Sequence, residues 1–155
     1  MDSRTKYAVD RRTVVIQDLF RSNNIDMIEY MLDAGYTNYN QIACCALYHN
    51  NIPLFKRMLE KGVKDYNSYA TMACIHHPSI TWEMINLGAN NYTSIATKFF
   101  YTKDTESLSK ILDMGSIDYG KIMNNLMFHK NYDMIKWLLD RKPFWIDSSN
   151  IDVKE

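Results

Sequence analysis

The chain has 155 residues, 46% of them hydrophobic and 23% charged, as is ordinary for one globular domain. Its 18 basic side chains balance 18 acidic ones, which argues against a nucleic-acid binder because such binding needs a surplus of cations facing phosphates. The sequence contains no apolar run long enough to cross a membrane, so a membrane partner is not expected either.

The three cysteines, Cys44, Cys45 and Cys74, are a poor disulfide framework because their number is odd and two of them are adjacent. The N-terminal segment 1–12 also lacks the apolar core of a signal peptide. We therefore expect an intracellular protein with reduced thiols.

A period of 26 or 27 residues runs through the chain. Four glycines are separated by 27, 26 and 27 residues, and each is followed three positions later by Asn or Asp and then by Tyr. The residues of this repeat motif are Gly35, Asn38, Tyr39, Gly62, Asp65, Tyr66, Gly88, Asn91, Tyr92, Gly115, Asp118 and Tyr119. Because fixed positions in repeat proteins usually serve the contact with the next repeat, we interpret the motif as structural.

Each repeat contains two apolar stripes at helical spacing, which we call helix A and helix B. In the first repeat, which lacks the Asn/Asp-Tyr phrase, Val15 begins the stripe of helix A and Ile25 that of helix B. The later stripes of helix A are Ile42, Ala43, Ala46, Leu47; Tyr69, Ala70, Ala73, Cys74; Ile95, Ala96, Phe99, Phe100; and Ile122, Met123, Leu126, Met127. The sequence therefore predicts an all-α solenoid of five helical hairpins, or ten helices, in one domain spanning 1–155. The predicted repeats are 9–35, 36–62, 63–88, 89–115 and 116–142, followed by a C-terminal cap or tail, 143–155.

The ends of the helices are predicted from their residue types. Each repeat glycine should end helix B, because glycine adopts a positive φ at little cost. Asn40, Asn67 and Thr93 are predicted to be N-caps of helix A. The stripes of helix B predict one buried column, formed by Leu59, Ile85, Leu112 and Leu139.

The segment from Ala46 to Gly62 reads A-L-x-x-N-x-I-x-L-F-x-x-M-L-x-x-G and resembles the ankyrin repeat, A-A-x-x-G-H-x-x-V-V-x-x-L-L-x-x-G. Leu87-Gly88-Ala89 is similar to the same family, and the resemblance spans residues 13 to about 142. The repeats are about six residues shorter than the usual 33 and lack the T-P-L-H signature. Shortened, Asn- and Tyr-rich repeats of this kind resemble those of giant and other large DNA viruses.

This resemblance implies a protein-binding adaptor or decoy that acts on a host or viral protein, in the cytoplasm of an infected cell or in the virion. It also implies that the β-hairpin fingers of ankyrin proteins are reduced here to tight turns, so that binding shifts to helix faces or to the ends of the stack. A self-associating structural protein, forming a homodimer, is the alternative.

Catalytic and metal-binding chemistry is not expected. Cys74 aligns with Leu47 and Phe100 and therefore belongs to the core, and neither C-x-x-C nor H-x-x-x-H spacing occurs. No nucleophile motif or Gly-rich loop is present. We predict no catalytic residue, no cofactor and no metal.

Four aromatic residues outside the core stripes are candidate protein-binding residues. Trp82 aligns with Glu29, Lys56, Ser109 and Lys136, and Trp137 falls in a column of mixed character. Tryptophan is enriched at binding hot spots, although either ring could instead cover a neighbouring loop. Phe144 and Trp145 follow Pro143 and are predicted either to cap the last repeat or to form a self-association surface.

Overall fold

The computed structural model describes residues 15–141, and this part of the chain contains ten helices and no strand. Residues 15–21 form α1. The remaining helices are α2 (Ile25–Asp33), α3 (Tyr39–Tyr48), α4 (Ile52–Glu60), α5 (Tyr66–Ala73), α6 (Pro78–Asn86), α7 (Tyr92–Thr102), α8 (Thr105–Leu112), α9 (Tyr119–Phe128) and α10 (Tyr132–Arg141). The all-α prediction and the count of ten helices are confirmed for the described residues.

The chain divides into two compact units, Met1–Asp65 and Tyr66–Glu155. The first, unit 1, contains α1 to α4, with α3 packed against α4. The second, unit 2, contains three hairpins in which α5 packs on α6, α7 on α8 and α9 on α10. Within unit 2, α7 also packs against both α5 and α9, so the A helices of successive hairpins are stacked side by side. That one domain spans 1–155 stays a prediction.

Each helix A begins at the tyrosine of the repeat motif, and the preceding Asn or Asp is its N-cap. The side chain of Asn38 accepts a hydrogen bond from the backbone N–H of Gln41 at 3.3 Å, and that of Asp118 accepts one from Lys121 at 2.9 Å. The predicted caps Asn40, Asn67 and Thr93 are therefore wrong. They lie in the first turn, one residue after the tyrosine, because the shorter reach of Asn or Asp to the third helical N–H is satisfied two residues earlier.

The residues wrongly predicted as caps link neighbouring hairpins of unit 2 instead. The side-chain oxygen of Asn67 in α5 accepts from the backbone N–H of Asn90 at 2.8 Å and of Asn91 at 3.3 Å. Nδ2 of Asn91 donates back to the Asn67 carbonyl oxygen at 3.1 Å and to Oγ1 of Thr71 at 2.9 Å. Oγ1 of Thr93 in α7 accepts from the N–H of Asp118 at 3.0 Å. The N-terminal ends of α5, α7 and α9 are therefore tied together in order.

The repeat glycines end helix B as predicted. Gly35 has a φ of +93°, and two bonds close the turn there: its N–H donates to Leu32 O at 3.1 Å and Tyr36 N–H donates to Met31 O at 2.9 Å. Gly88, with a φ of +120°, makes the corresponding bond to Ile85 O at 3.0 Å. These are Schellman motifs, which satisfy the last carbonyls of the helix.

The turns from helix A to helix B use non-glycine residues with positive φ: Asn23, Asn50, Lys103 and Lys130, at 54°, 60°, 57° and 53°. The α5–α6 turn is different, because α6 begins 12 residues after the start of α5, whereas the other A and B helices that begin at Tyr39, Tyr92 and Tyr119 are 13 apart. No positive-φ residue occurs in that turn. The 26-residue spacing between Gly62 and Gly88 therefore reflects the loss of the left-handed residue from one turn.

The apolar stripes form the core. Every predicted stripe residue of α3, α5, α7 and α9 is buried except Met127, which is 51% exposed. In the predicted column of helix B, Ile85 and Leu112 are buried and Leu59 is half-buried, but Leu139 is 36% exposed, so the prediction for Leu139 is wrong. Leu139 lies on the flank of α10 that a further hairpin would cover, and the described residues end at Arg141.

Candidate protein-binding surface

Trp82 and Trp137 both pack against the Phe99-Phe100 pair of α7. The ring of Trp82, in α6, is stacked on Phe99 with 6.2 Å between centroids and 18° between planes. The ring of Trp137, in α10, meets Phe100 edge-on at 6.0 Å and 77°. Both tryptophans are half-buried. They lie at joints between hairpins and not as free anchors on the surface, and the candidates Phe144 and Trp145 lie outside the described residues.

A cleft of about 510 Å³ lies beside Trp137 and is lined by Thr105, Glu106, Ser109, Trp137, Asp140 and Arg141. The Arg141 guanidinium lies 5.5 Å from the centroid of the Trp137 ring. Its nitrogens donate to Oγ of Ser109 at 2.5 Å, to the Ser109 carbonyl oxygen at 3.1 Å and to Oδ2 of Asp113 at 3.5 Å. Arg141 therefore joins α10 to α8, and its donors are used within the fold.

The largest exposed apolar side chains of unit 2 recur at one position of the repeat, at or just after the end of helix A. Ile75 is 42% exposed, Tyr101 72% and Phe128 82%. Tyr48 has the same register at the end of α3 in unit 1 and is also exposed. We call Ile75, Tyr101 and Phe128 the apolar edge. Soluble proteins expose single apolar residues routinely, but one position that stays large and apolar in successive repeats is typical of a contact surface.

The stacking of α7 and α9 places Tyr101 and Phe128 on neighbouring turns. Nδ2 of Asn131, in the α9–α10 turn, donates to the Phe100 carbonyl oxygen at 3.5 Å. Nζ of Lys103, in the α7–α8 turn, lies 3.6 Å from Oδ2 of Asp133. These contacts join the C-terminal ends of α7 and α9, whose N-terminal ends are joined by Thr93 and Asp118. The two helices therefore run parallel, and their last side chains face the same edge of unit 2.

The sequence contained a signal for this edge that the search for isolated tryptophans missed. Tyr48, Ile75, Tyr101 and Phe128 each follow directly after the last residue of a core stripe, and each occurs one repeat after the previous one. An alignment of the repeats that scored apolar residues outside the stripes would have found them. The stripe pattern concealed them, because an apolar residue next to a core position is easily counted with the core.

The cysteine thiols are free and held in their neutral form by burial. Cys74 is buried in α5's C-terminal region, and desolvation raises its pKa to about 11, although a hydrogen bond with Thr81 opposes the shift. Desolvation also raises the pKa of Cys44, with a further contribution from the charge of Asp65. Among residues 15–141, no three His, Cys, Asp or Glu side chains are grouped closely enough to hold a metal ion. That the protein uses no metal or cofactor and is not an enzyme stays a prediction.

Comparisons with protein-family models, with curated proteins and with solved structures found no match to this chain. None of the helices between residues 15 and 141 combines the length and apolar character needed to cross a membrane. The apolar edge is therefore argued from geometry alone.

Proposed function

We propose that this chain is a protein-binding module, acting as an adaptor or decoy, that contacts its partner through the apolar edge. The observation that carries the proposal is the exposed position of Tyr101 and Phe128 at the same register of adjacent repeats. Aromatic side chains supply a large part of the binding energy at protein interfaces, because they bury much area with few rotatable bonds.

We further propose that the hairpins are ankyrin-like, that the protein is viral, and that it acts in the cytoplasm of an infected cell. The Ala46–Gly62 pattern supports the first point. So does the short connection between α2 and α3, residues 34–38, which leaves no room for a β-hairpin finger. With the fingers reduced, the turns from helix A to helix B are the edge on which large side chains are exposed.

Site-specific photocrosslinking in the cells that make the protein tests the proposal. A benzoylphenylalanine at Tyr101 or Phe128 should give an adduct with a protein partner, because both side chains face outward at the edge. The matched control is Asn86, an exposed residue at the end of α6, which runs antiparallel to α5 and so ends at the opposite edge. Equal adducts at Asn86, or no adduct at Tyr101 and Phe128, would contradict the proposal.

Self-association is the second candidate, because Met127 and Leu139 add exposed apolar area to the last described hairpin. A homodimer formed there should sediment as a dimer at micromolar concentration, and Met127→Ser should shift it toward the monomer. A wild-type protein that sediments only as a monomer removes this candidate.

A further inference from the structure

We infer that the apolar edge binds an extended, acidic peptide segment of the partner that carries an apolar residue at every third position. The inference rests on the proposed function and specifies the chemistry of its partner. Three features of unit 2 carry it: the spacing of the apolar side chains, their arrangement in a single row, and the charges beside them.

The spacing follows from the stacking of the A helices. Packed helices lie about 8–10 Å apart, so equivalent side chains of α7 and α9 recur at about that interval along the edge. A polyproline II segment rises about 3.1 Å per residue and repeats every three residues, or about 9 Å. A peptide laid across the helix ends would therefore place every third side chain next to Tyr101, then Phe128, with Ile75 as a third station.

A single row of apolar side chains favours an extended segment over a helix. A bound amphipathic helix uses residues i, i+3, i+4 and i+7 and so needs a groove with two rows of apolar contacts. The edge offers one large side chain at each turn, and the next residues along the chain, His76, Thr102 and His129, are polar. An extended backbone needs only this one row.

The charges beside the edge favour acidic residues in the partner. Lys98 lies one helical turn before Tyr101, and Lys130 lies two residues after Phe128; both are exposed. Within residues 15–141, neither lysine has a carboxylate within 4.0 Å. The nearby carboxylates are engaged, since Asp104 accepts from the Ser107 N–H at 3.0 Å and Asp133 pairs with Lys103 at 3.6 Å. The cations left over would complement Asp or Glu between the apolar positions.

A random peptide library displayed on phage and selected on the full-length protein tests the inference. The selection is counter-screened with the double variant Tyr101→Ser, Phe128→Ser. Enriched peptides should carry Pro or another apolar residue at every third position and an excess of Asp and Glu. Fluorescence anisotropy on synthetic copies should show about tenfold or weaker binding to the double variant, because aromatic hot-spot residues account for losses of that size.

The matched control is Leu87→Ser, which removes an exposed apolar side chain beside Gly88, at the opposite edge from the turn ends. Its binding should equal that of the wild type, and the melting temperatures of all variants should agree because the replaced side chains are exposed. Lys98→Gln with Lys130→Gln should weaken binding severalfold, and added salt should weaken wild-type binding in the same direction.

Enrichment of helical or basic peptides, no enrichment, or equal binding by the double variant would overturn the inference. The proposed function fails separately, through the photocrosslinking at Tyr101 and Phe128. Adducts there together with a failed peptide selection would mean that the edge binds a folded surface or a helix.

Discussion

The hydroxyl of Thr81 in α6 donates a 2.9 Å hydrogen bond to the carbonyl oxygen of Ala70 in α5. Thr81 is fully buried, at a register where α4 and α8 place the apolar Phe55 and Leu108. This polar substitution in the core falls in the one hairpin whose turn is a residue short. The hydroxyl therefore ties α6 to the end of α5 in the hairpin that lacks the left-handed turn residue.

Thr81→Val should destabilise the protein by about 1–2 kcal/mol. The valine keeps the shape of threonine but removes a donor to a buried carbonyl, leaving only the weak thiol donor of Cys74, at 3.2 Å from the same oxygen. The control is Thr97→Val, whose hydroxyl bonds only to Thr93 O within its own helix, at 2.8 Å. Urea denaturation that shows equal stability for the two variants would contradict this role of Thr81.

Leu112→Ala should lower the free energy of unfolding by roughly 2–5 kcal/mol, because Leu112 is buried and its truncation leaves a cavity. Leu139→Ala removes the same atoms from the matching register of α10, where the side chain is 36% exposed, and should cost about 1 kcal/mol or less. Chemical denaturation of both variants measures the difference. Similar losses would show that the burial of the two leucines is wrongly assigned.

Lys130→Gly should stabilise the protein by about 0.5–1.5 kcal/mol. Lys130 has a φ of 53°, in the left-handed region that costs an ordinary residue about 1–2 kcal/mol and glycine almost nothing. The same substitution at Lys98, in the interior of α7, should destabilise by about 1 kcal/mol because glycine is a poor helix former. The prediction is one of opposite signs, and thermal melts that move in the same direction for both variants would refute it.

Cys74 should react with a thiol reagent only after the protein unfolds. Its sulfur is buried, and its raised pKa keeps the reactive thiolate scarce at neutral pH. Cys44, which is partly exposed, should react earlier in the native state. Mass spectrometry of protein labelled at pH 8, with and without urea, distinguishes the sites, and native labelling of Cys74 at the rate of Cys44 would contradict its burial.

Stability should fall between pH 9 and pH 11 through the titration of Cys74. Its pKa is about 11 in the folded protein against a usual 9.0, so the native state keeps a proton that the unfolded chain releases over this range. The stabilisation is therefore intact below pH 9 and lost as the pH rises through the folded pKa, by up to roughly 2–3 kcal/mol. Cys74→Ala should lack this decline, and the two denaturation curves compared at pH 8 and pH 10.5 measure it.

The sequence predicted the period, the ten helices and nearly all of the core, because these depend on where apolar residues recur. Helix starts were misplaced by two residues at Asn40, Asn67 and Thr93. Asn and Thr fit a cap by residue type, and only the backbone shows that Asn38 and Asp118 cap first. Leu139 was misassigned because a stripe records which side of a helix is apolar and not whether another element covers it.

Less of the candidate surface could be predicted. Trp82 and Trp137 stood out because their columns are polar, yet both rings pack on α7, through Phe99 and Phe100. Exposure at Tyr101 and Phe128 depends on how the last turn of helix A projects beyond its neighbours, which residue type alone does not give. The edge becomes evident once the end of each helix is placed.

The double hydrogen bond of the Asn91 side chain has a consequence for covalent modification. Asn91-Tyr92-Thr93 has the form of an N-glycosylation acceptor, in which the sugar is attached to Nδ2 of the asparagine. In the folded protein that nitrogen donates to Asn67 O and to Thr71 Oγ1, between α5 and α7. A glycan at Asn91 and the link between these two hairpins therefore exclude each other: a chain glycosylated before folding could not close the joint, and a folded chain offers no free amide to a transferase.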